Sequence, residues 1–501
     1  MIDNYKGEDV KLEGSKGVFE VASADKNAEG FLGKGRLVYE KGAFYLKTLG
    51  DEKYWIKGGA DSPENFLAYT GFDNTTPNLD KPDWFHDFAP HIYDWQEGDP
   101  DWGNGKGKGI IGALNYLSSQ KVNSIYVLLM NIGGDGQDVW PYLGLIDRKG
   151  NTENDNLHFD ISKLNQWEMV FAHAQQKDIN LQLVLGEGEK ANKMELDKGK
   201  LGIERKLYYR EMIALFSHHN AIQWNISEEY DISPLPLQPE QIKEFAWYVK
   251  AIDPYNHPIT VHNCDSDGFE PFFGDNTFSL TSLQYYAGQK QTLFLGYGGK
   301  TEIMRAEEKK SGHSIPVFFD EFNQATVDDN MNYMPEKFPF HSGQSFLRKA
   351  VTWPVYLSGG AGIEFISEKV LKLNDFRLYE KTWQYTWNAR KFMEECIPFW
   401  EMEPKDHLLS YEASGYYEDG HVFAKNGEAY AIYLPDGSLT GTLNLTNEAG
   451  NFSLSWYNPR TGWFEGEIKK VAGGKDIRLG NPPSTPTEDW VVLIQVLDEH
   501  Y

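Results

Sequence analysis

The sequence predicts an α/β protein, a (β/α)8 barrel with a short β lead-in and an all-β sandwich after it. Three observations carry that expectation. Apolar runs of strand length alternate with segments of helical periodicity from about residue 51 to the low 400s. Eight such strands can be counted, apolar enough for a parallel sheet covered by helices. Beyond Trp400 the pattern changes to short strands broken by the turn pairs Asp419-Gly420, Asn426-Gly427 and Asp436-Gly437. The expected divisions are a β lead-in over 1–50, a barrel over 51–402 and a β-sandwich over 403–501.

Within the lead-in, the stretches 17–21, 35–39 and 43–46 alternate or run apolar between Gly, Lys and Asp punctuation. The first barrel strand is expected at 54–57, running into a Gly-rich polar turn that holds Asp61, Glu64 and Asn65. Those three fit a substrate contact and fit equally well as turn and cap residues. Helical periodicity over 110–120 precedes a strand at 124–130, and an amphipathic helix over 161–176 precedes one at 181–185. A helix over 203–216 feeds the strand at 221–226. The helix over 239–251, with proline at its tolerated first position, feeds the one at 259–262. Strands at 279–285, 316–320 and 361–365 follow, with helices around 301–309 and 346–357, and a long helix over 376–395 ends the series. An open doubly wound sheet is the rival architecture. No G-x-G-x-x-G opens a helix, and the run GNGKGKG at 103–109 lacks the P-loop spacing.

Bulk properties narrow the function classes. A formal net charge of -26 over 501 residues repels nucleic acid and anionic membranes at long range. Lys106, Lys108, Lys309 and Lys310 form only small local basic groups. No apolar run approaches the about 20 residues of a membrane span, and the first residues lack a signal-peptide pattern. Two cysteines, Cys264 and Cys396, make no zinc spacing and are expected as free thiols. The acidic loop 147–156 misses the EF-hand pattern, so no metal and no cofactor are expected. Aromatic residues reach 14%, with 15 Trp and 28 Tyr, and flat rings with a polar edge suit the faces and rims of sugars.

The chemistry is expected at two strand ends. The stretch Ala221-Ile222-Gln223-Trp224-Asn225-Ile226-Ser227-Glu228-Glu229-Tyr230 is an apolar run ending in adjacent carboxylates. Neighbouring side chains of a strand face opposite ways, so Glu228 and Glu229 cannot share a face while the strand lasts. A buried acid at a strand end costs free energy unless it is paired or used. Pro316-Val317-Phe318-Phe319-Asp320-Glu321-Phe322 is a second run of the same kind. Either acid alone reads as a helix cap or ion-pair partner. Two at matching strand ends fit the paired-carboxylate mechanism of glycoside hydrolysis.

These stretches carry a resemblance. Trp224-Asn225-Ile226-Ser227-Glu228-Glu229 resembles the strand-four motif of clan A glycoside hydrolases, and Pro316-Val317-Phe318-Phe319-Asp320-Glu321 resembles their strand-seven motif. The barrel is most similar to the apiosidase-like proteins of polysaccharide-degrading bacteria. The tail, with Trp456-Tyr457-Asn458-Pro459-Arg460-Thr461-Gly462, Leu479-Gly480-Asn481-Pro482-Pro483 and Asp489-Trp490-Val491, is similar to the collagen-binding-type module those proteins carry. The resemblance implies a retaining hydrolase with Glu229 as acid/base and Glu321 as nucleophile. Its substrate would be a plant or algal polysaccharide or a side chain of one. It also implies a secreted, periplasmic or cell-surface bacterial protein. One departure stands out: Glu228 occupies a position where the clan has an Asn that bonds the sugar 2-hydroxyl. From the residues alone, Glu228 and Glu229 are both open as the acid; the alignment selects Glu229.

Further residues are expected around the substrate. By resemblance Tyr285 orients the nucleophile; by residue type alone it also reads as a core tyrosine. His262 ends strand five, Asn131, Asp135 and Trp140 follow strand two, Glu187 follows strand three and Glu364 lies in strand eight. Trp140 reads as a sugar platform or a rim cover, and Glu187 and Glu364 as substrate contacts or loop braces. Two rivals remain at this level: a polysaccharide lyase, and a glycan-binding protein on a barrel without turnover. The sequence leaves the sugar, the linkage and the oligomeric state open.

Overall fold

The computed structural model of the chain describes residues 16–18, 20, 25–76, 84–133, 138–144, 155–234, 236–286, 296–322, 343–367, 369, 371–411, 420–439 and 441–497. Asp135 and most of the acidic loop 147–156 lie outside the described residues, as do residues 19 and 21 of the stretch 17–21.

The chain enters through a one-turn helix α1 (Phe31–Lys34) and three short strands, β1 (Leu37–Val38), β2 (Leu46–Thr48) and β3 (Tyr54–Trp55). The lead-in is therefore not all strand. The strands form an antiparallel sheet, in which Leu46 pairs with Trp55. The sequence reading gave 54–57 to the first barrel strand. The run divides instead at Ile56, because Trp55 turns its ring under the barrel against Phe318, with centroids 6.1 Å apart.

The barrel strands are β4 (Lys57–Ala60), β5 (Ser124–Leu128), β6 (Asn180–Val184), β7 (Ile222–Asn225), β8 (Ile259–Thr260), β9 (Leu283–Gln284), β10 (Phe318–Glu321) and β11 (Gly362–Phe365). They form one parallel sheet in the order β8-β7-β6-β5-β4-β11-β10-β9. A parallel bridge between His262 and Ser282, and the Ser279 N–H bonding the Ile259 carbonyl at 2.8 Å, join its two ends. The principal covering helices are α2 (Lys108–Ser119), α3 (Ile161–Gln176), α5 (Ile203–Phe216), α6 (Pro239–Ile252) and α7 (Tyr297–Ser311), with the short α4 (Lys190–Glu195) in the loop after β6. Before β11 come α8 (Gln344–Leu347), a π turn (Arg348–Thr352) and α9 (Trp353–Leu357); α10 (Glu380–Cys396) ends the barrel.

The barrel interior is polar where the sequence reading expected apolar strands. Lys57 Nζ lies 2.8 Å from both Asp320 Oδ1 and Glu364 Oε2, and donates to Gln182 Oε1 at 2.7 Å. Gln182 in turn donates to Asp320 Oδ2 and to Ser282 Oγ. A charge excluded from water needs a partner at this range, and here the partners sit on three strands other than that of Lys57. Gly59 makes room for the layer: a Cβ there would meet the Glu364 side chain at 2.6 Å.

The C-terminal strands start with β12 (Glu403–Pro404) and β13 (Leu409–Ser410), then β14 (His421–Lys425), β15 (Ala429–Leu434) and β16 (Thr442–Asn444). The long hairpin β17 (Asn451–Asn458) and β18 (Trp463–Ala472) follows, and β19 (Asp476–Arg478) and β20 (Trp490–Val496) close the domain. A six-stranded antiparallel sheet, β12-β14-β15-β20-β17-β18, faces a three-stranded one, β13-β16-β19. Alternation in the large sheet splits its side chains two ways. Val422, Tyr430, Ile432, Val492 and Ile494 fill the sandwich, while Phe423, Ala431, Tyr433, Val491 and Leu493 continue the barrel core. The seam is fixed by Trp353 stacked on Tyr433 at 5.8 Å and by a two-pronged bond from Arg348 to Asp489 at 2.7 and 2.9 Å.

Candidate active site

Three strand ends bring the site together. At β10 the pairing with β9 shifts register between Phe319 and Glu321. Such a bulge re-aims a side chain. Asp320 stays in the interior layer on Lys57, and Glu321 also turns toward the C-terminal end of the barrel, where sites of this fold are built. At β7 the regular strand stops at Asn225, and Glu229 takes a left-handed backbone with φ 35°. That turn removes the alternation that would have parted Glu228 from Glu229. Lys193 holds it, donating to the carbonyls of Glu229 and Tyr230 at 2.9 Å each. Gly188 lets the turn close, since a Cβ there would meet the Glu229 Cβ at 2.9 Å.

From β9, Gln284 donates its amide Nε2 to Glu229 Oε1 at 2.8 Å and to Glu321 Oε2. Two oxygens bonded to one nitrogen lie within about 6 Å of each other at any angle. The separation suits the about 5–5.5 Å of a retaining carboxyl pair better than the about 6.5–9.5 Å of an inverting one. Tyr286 donates its hydroxyl to Glu321 Oε1, and His262 Nε2 lies 3.3 Å from Glu321 Oε2. His262 Nδ1 rests on Ser282 Oγ at 3.0 Å.

The electrostatics separate the two carboxyls. Burial, then the Glu321 charge, pushes the Glu229 carboxyl up to about 7, against the bond from Gln284 that favours its ionised form. Burial pulls His262 down, but its contact with Glu321 outweighs that and leaves the imidazole above its ordinary value. Burial and then the charge of Glu229 raise the neighbouring Cys264 thiol. Cys264 and Cys396 are both free.

The remaining expected residues divide. Asp61 and Glu228 are buried beside Glu321, and burial followed by neighbouring carboxylates holds both well above the usual range. Glu187 is buried in the loop after β6, between Gly186, whose carbonyl accepts the Glu228 N–H at 2.8 Å, and Gly188. Tyr285 is not the tyrosine on the nucleophile. Its ring packs outward against Tyr297 and Phe319, and the next residue, Tyr286, reaches Glu321. Trp140 is no sugar platform, being buried with the Lys163 ammonium 4.2 Å from its ring centre. Asn131 braces its own loop, its side-chain oxygen Oδ1 accepting the N–H groups of Asp138 and Val139. Glu364 belongs to the interior layer, on Lys57 and Ser124, rather than to the substrate face.

Groups close enough to share an ion occur at three places among the described residues: Glu168, His218 and His219; Glu302, Asp406 and His421; and Glu64, Glu228 and Glu321. In the first two the imidazoles already contact carboxylates. Among the described residues no helix is long and apolar enough to cross a membrane.

Comparison with known proteins adds the following. A family model described as "Putative collagen-binding domain of a collagenase" matches residues 405–495, the sandwich. A solved structure described as "Glycoside hydrolase" superposes with a TM-score of 0.64 at 13% identity, covering 92% of this chain and 97% of that one. A glycoside hydrolase family 5 structure from Bacteroides vulgatus ATCC 8482 gives 0.64 at 14% identity, covering 96% and 98%. At such identities the likeness is one of fold, and it extends over the barrel and the appended β domain together. No curated protein matches the chain in sequence.

Proposed function

We propose that this protein is a retaining glycoside hydrolase acting on a plant or algal polysaccharide or its side chains. The observation that carries this reading is the Gln284 amide bonded to both Glu229 and Glu321. Glu321 accepts from Tyr286 and Gln284 and contacts His262, which fixes its oxygens for attack. In the first step a Glu321 oxygen bonds to the anomeric carbon as the glycosidic C–O bond breaks, and Glu229 gives its proton to the leaving oxygen. In the second, Glu229 takes a proton from water while the water oxygen displaces Glu321. A carboxyl raised to about 7 holds a proton to give near neutrality and takes one back with little cost, as an acid/base must.

The apiosidase-like resemblance supports a side-chain or oligosaccharide substrate, and the fold likeness to named glycoside hydrolases supports the reaction class. Binding collagen belongs to the description of the matched family. For this chain we propose that the sandwich braces the barrel, because one face of its larger sheet is already spent on it. Turnover of aryl glycosides and polysaccharides by the wild type, lost in Glu321→Gln with binding retained, is the expected result. Binding without turnover in either protein would make it a glycan-binding protein, and unsaturated products absorbing in the ultraviolet would make it a lyase.

A further inference from the structure

Beside the proposed nucleophile the barrel gathers more carboxyl groups than a neutral sugar can use. Carboxylate oxygens of Glu64, Glu228 and Glu321 lie within 4.8 Å of one another, and Asp61 adds a fourth acid to the same corner. Glu228 is 6% exposed and Asp61 2% exposed, and Oε2 of the one and Oδ2 of the other have no hydrogen-bond partner. Among the described residues no Lys or Arg pairs with either. The nearby cations are engaged elsewhere: Lys57 on Asp320 and Glu364 below, Lys193 on the carbonyls of the Glu229 turn, His262 on Glu321. The Tyr126 hydroxyl, also buried and without a partner, is close enough to Glu228 and Asp61 to feel their charges. Acids buried in this way call for a cation that arrives with the ligand.

Resting on the hydrolase reading, we propose that this corner holds the ammonium of a 2-amino-2-deoxy sugar, so that the enzyme prefers unacetylated hexosaminides. Three oxygens within 4.8 Å of each other can all be reached from one point about 2.8 Å away, the length of a charge-assisted N–H···O bond. When Glu321 stands against the anomeric carbon, the sugar groups beside it are the ring oxygen and the C2 substituent. The ring oxygen has no proton to give, so only the C2 substituent can satisfy these acceptors. A hydroxyl donates once, whereas an ammonium donates three times and brings the missing charge.

The test compares 4-nitrophenyl 2-amino-2-deoxyhexopyranosides of gluco and galacto configuration, as both anomers, with their 2-hydroxy and 2-acetamido counterparts. Chitosan against chitin and cellulose repeats the comparison on polymers. The expected result is a kcat/KM at least about 10²-fold higher for the amino form. Glu228→Gln and Asp61→Asn, each checked for folding by thermal melting, should shrink that ratio tenfold or more (~10-fold, below the cost of removing a buried partner outright). Preference for the hydroxy or acetamido form, or a ratio unchanged in both variants, overturns the inference and leaves the hydrolase reading standing. Tight calcium binding abolished by Glu228→Gln, with amino and hydroxy forms cleaved alike, also overturns it. If no glycoside is cleaved, the hydrolase reading fails and calorimetry with chitosan oligosaccharides decides the subsite alone. Binding lost in Glu228→Gln keeps it, and no binding removes it.

Discussion

Two buried charged regions lie at opposite ends of the barrel strands' story, and they are built on opposite terms. In the interior layer and at the seam with the sandwich, each carboxyl lies against a cation: Asp320 and Glu364 on Lys57, Asp489 on Arg348. At the strand ends Asp61, Glu228, Glu229 and Glu321 crowd together, and burial with mutual repulsion pushes Asp61, Glu228 and Glu229 toward their protonated forms. Paired charges of the first kind fix geometry. Unmatched ones of the second kind destabilise the folded chain and persist where a ligand or a reaction uses them. The difference locates chemistry in a molecule of formal net charge -26.

The contrast can be broken from either side. Glu321→Gln should reduce turnover by about 10⁴-fold or more, as loss of a nucleophile does, with the melting temperature kept or raised. Glu229→Gln should cost about 10²–10⁴-fold in kcat on substrates with poor leaving groups. At the seam the effect should be on stability: Asp489→Ala leaves buried Arg348 with only the more exposed Glu488 at 3.5 Å and should lower the unfolding free energy by about 3–5 kcal/mol, read by denaturant titration. Equal stability in that variant would show the seam to be no clip.

Smaller effects sharpen the same comparison. Glu229 must be protonated to act as acid, so the rate should fall as pH rises through about 7, and Glu229→Gln should flatten that limb. Glu228 is held above its ordinary value, so the folded chain binds its proton more tightly than the unfolded chain. Its contribution to stability is thus greatest in acid and declines as pH climbs past the unfolded carboxyl value of about 4.3. Glu228→Gln should remove that decline and stabilise the protein by about 0.5–2 kcal/mol at neutral pH, seen as a raised melting midpoint.

Much of the architecture was legible because strand and helix periods differ and because β-turn pairs cluster after residue 419. The acids at 229 and 321 were legible as carboxylates closing apolar runs. What local pattern could not carry was parity. The two-residue strand β9 and the bulge before Glu321 decide which of Tyr285 and Tyr286 faces the nucleophile, and both depend on pairing with distant strands. Gln284 gave no signal of its own, since a neutral amide in a strand is unremarkable until two carboxylates are found on it. Lys57 read only as the last residue of the first barrel strand, and its partners lie 263 and 125 residues away at Asp320 and Gln182. Trp140 read equally as a platform or a rim cover, and its burial speaks against the platform.

The convergence of Glu229 and Glu321 on one amide is tested most directly by following product anomers with proton NMR during hydrolysis of a cleaved glycoside. Retention should appear, the first-formed sugar carrying the configuration of the bond that was broken. A first-formed sugar of opposite configuration would contradict the pair, because the carboxyls would then have to stand far enough apart to admit a water between them.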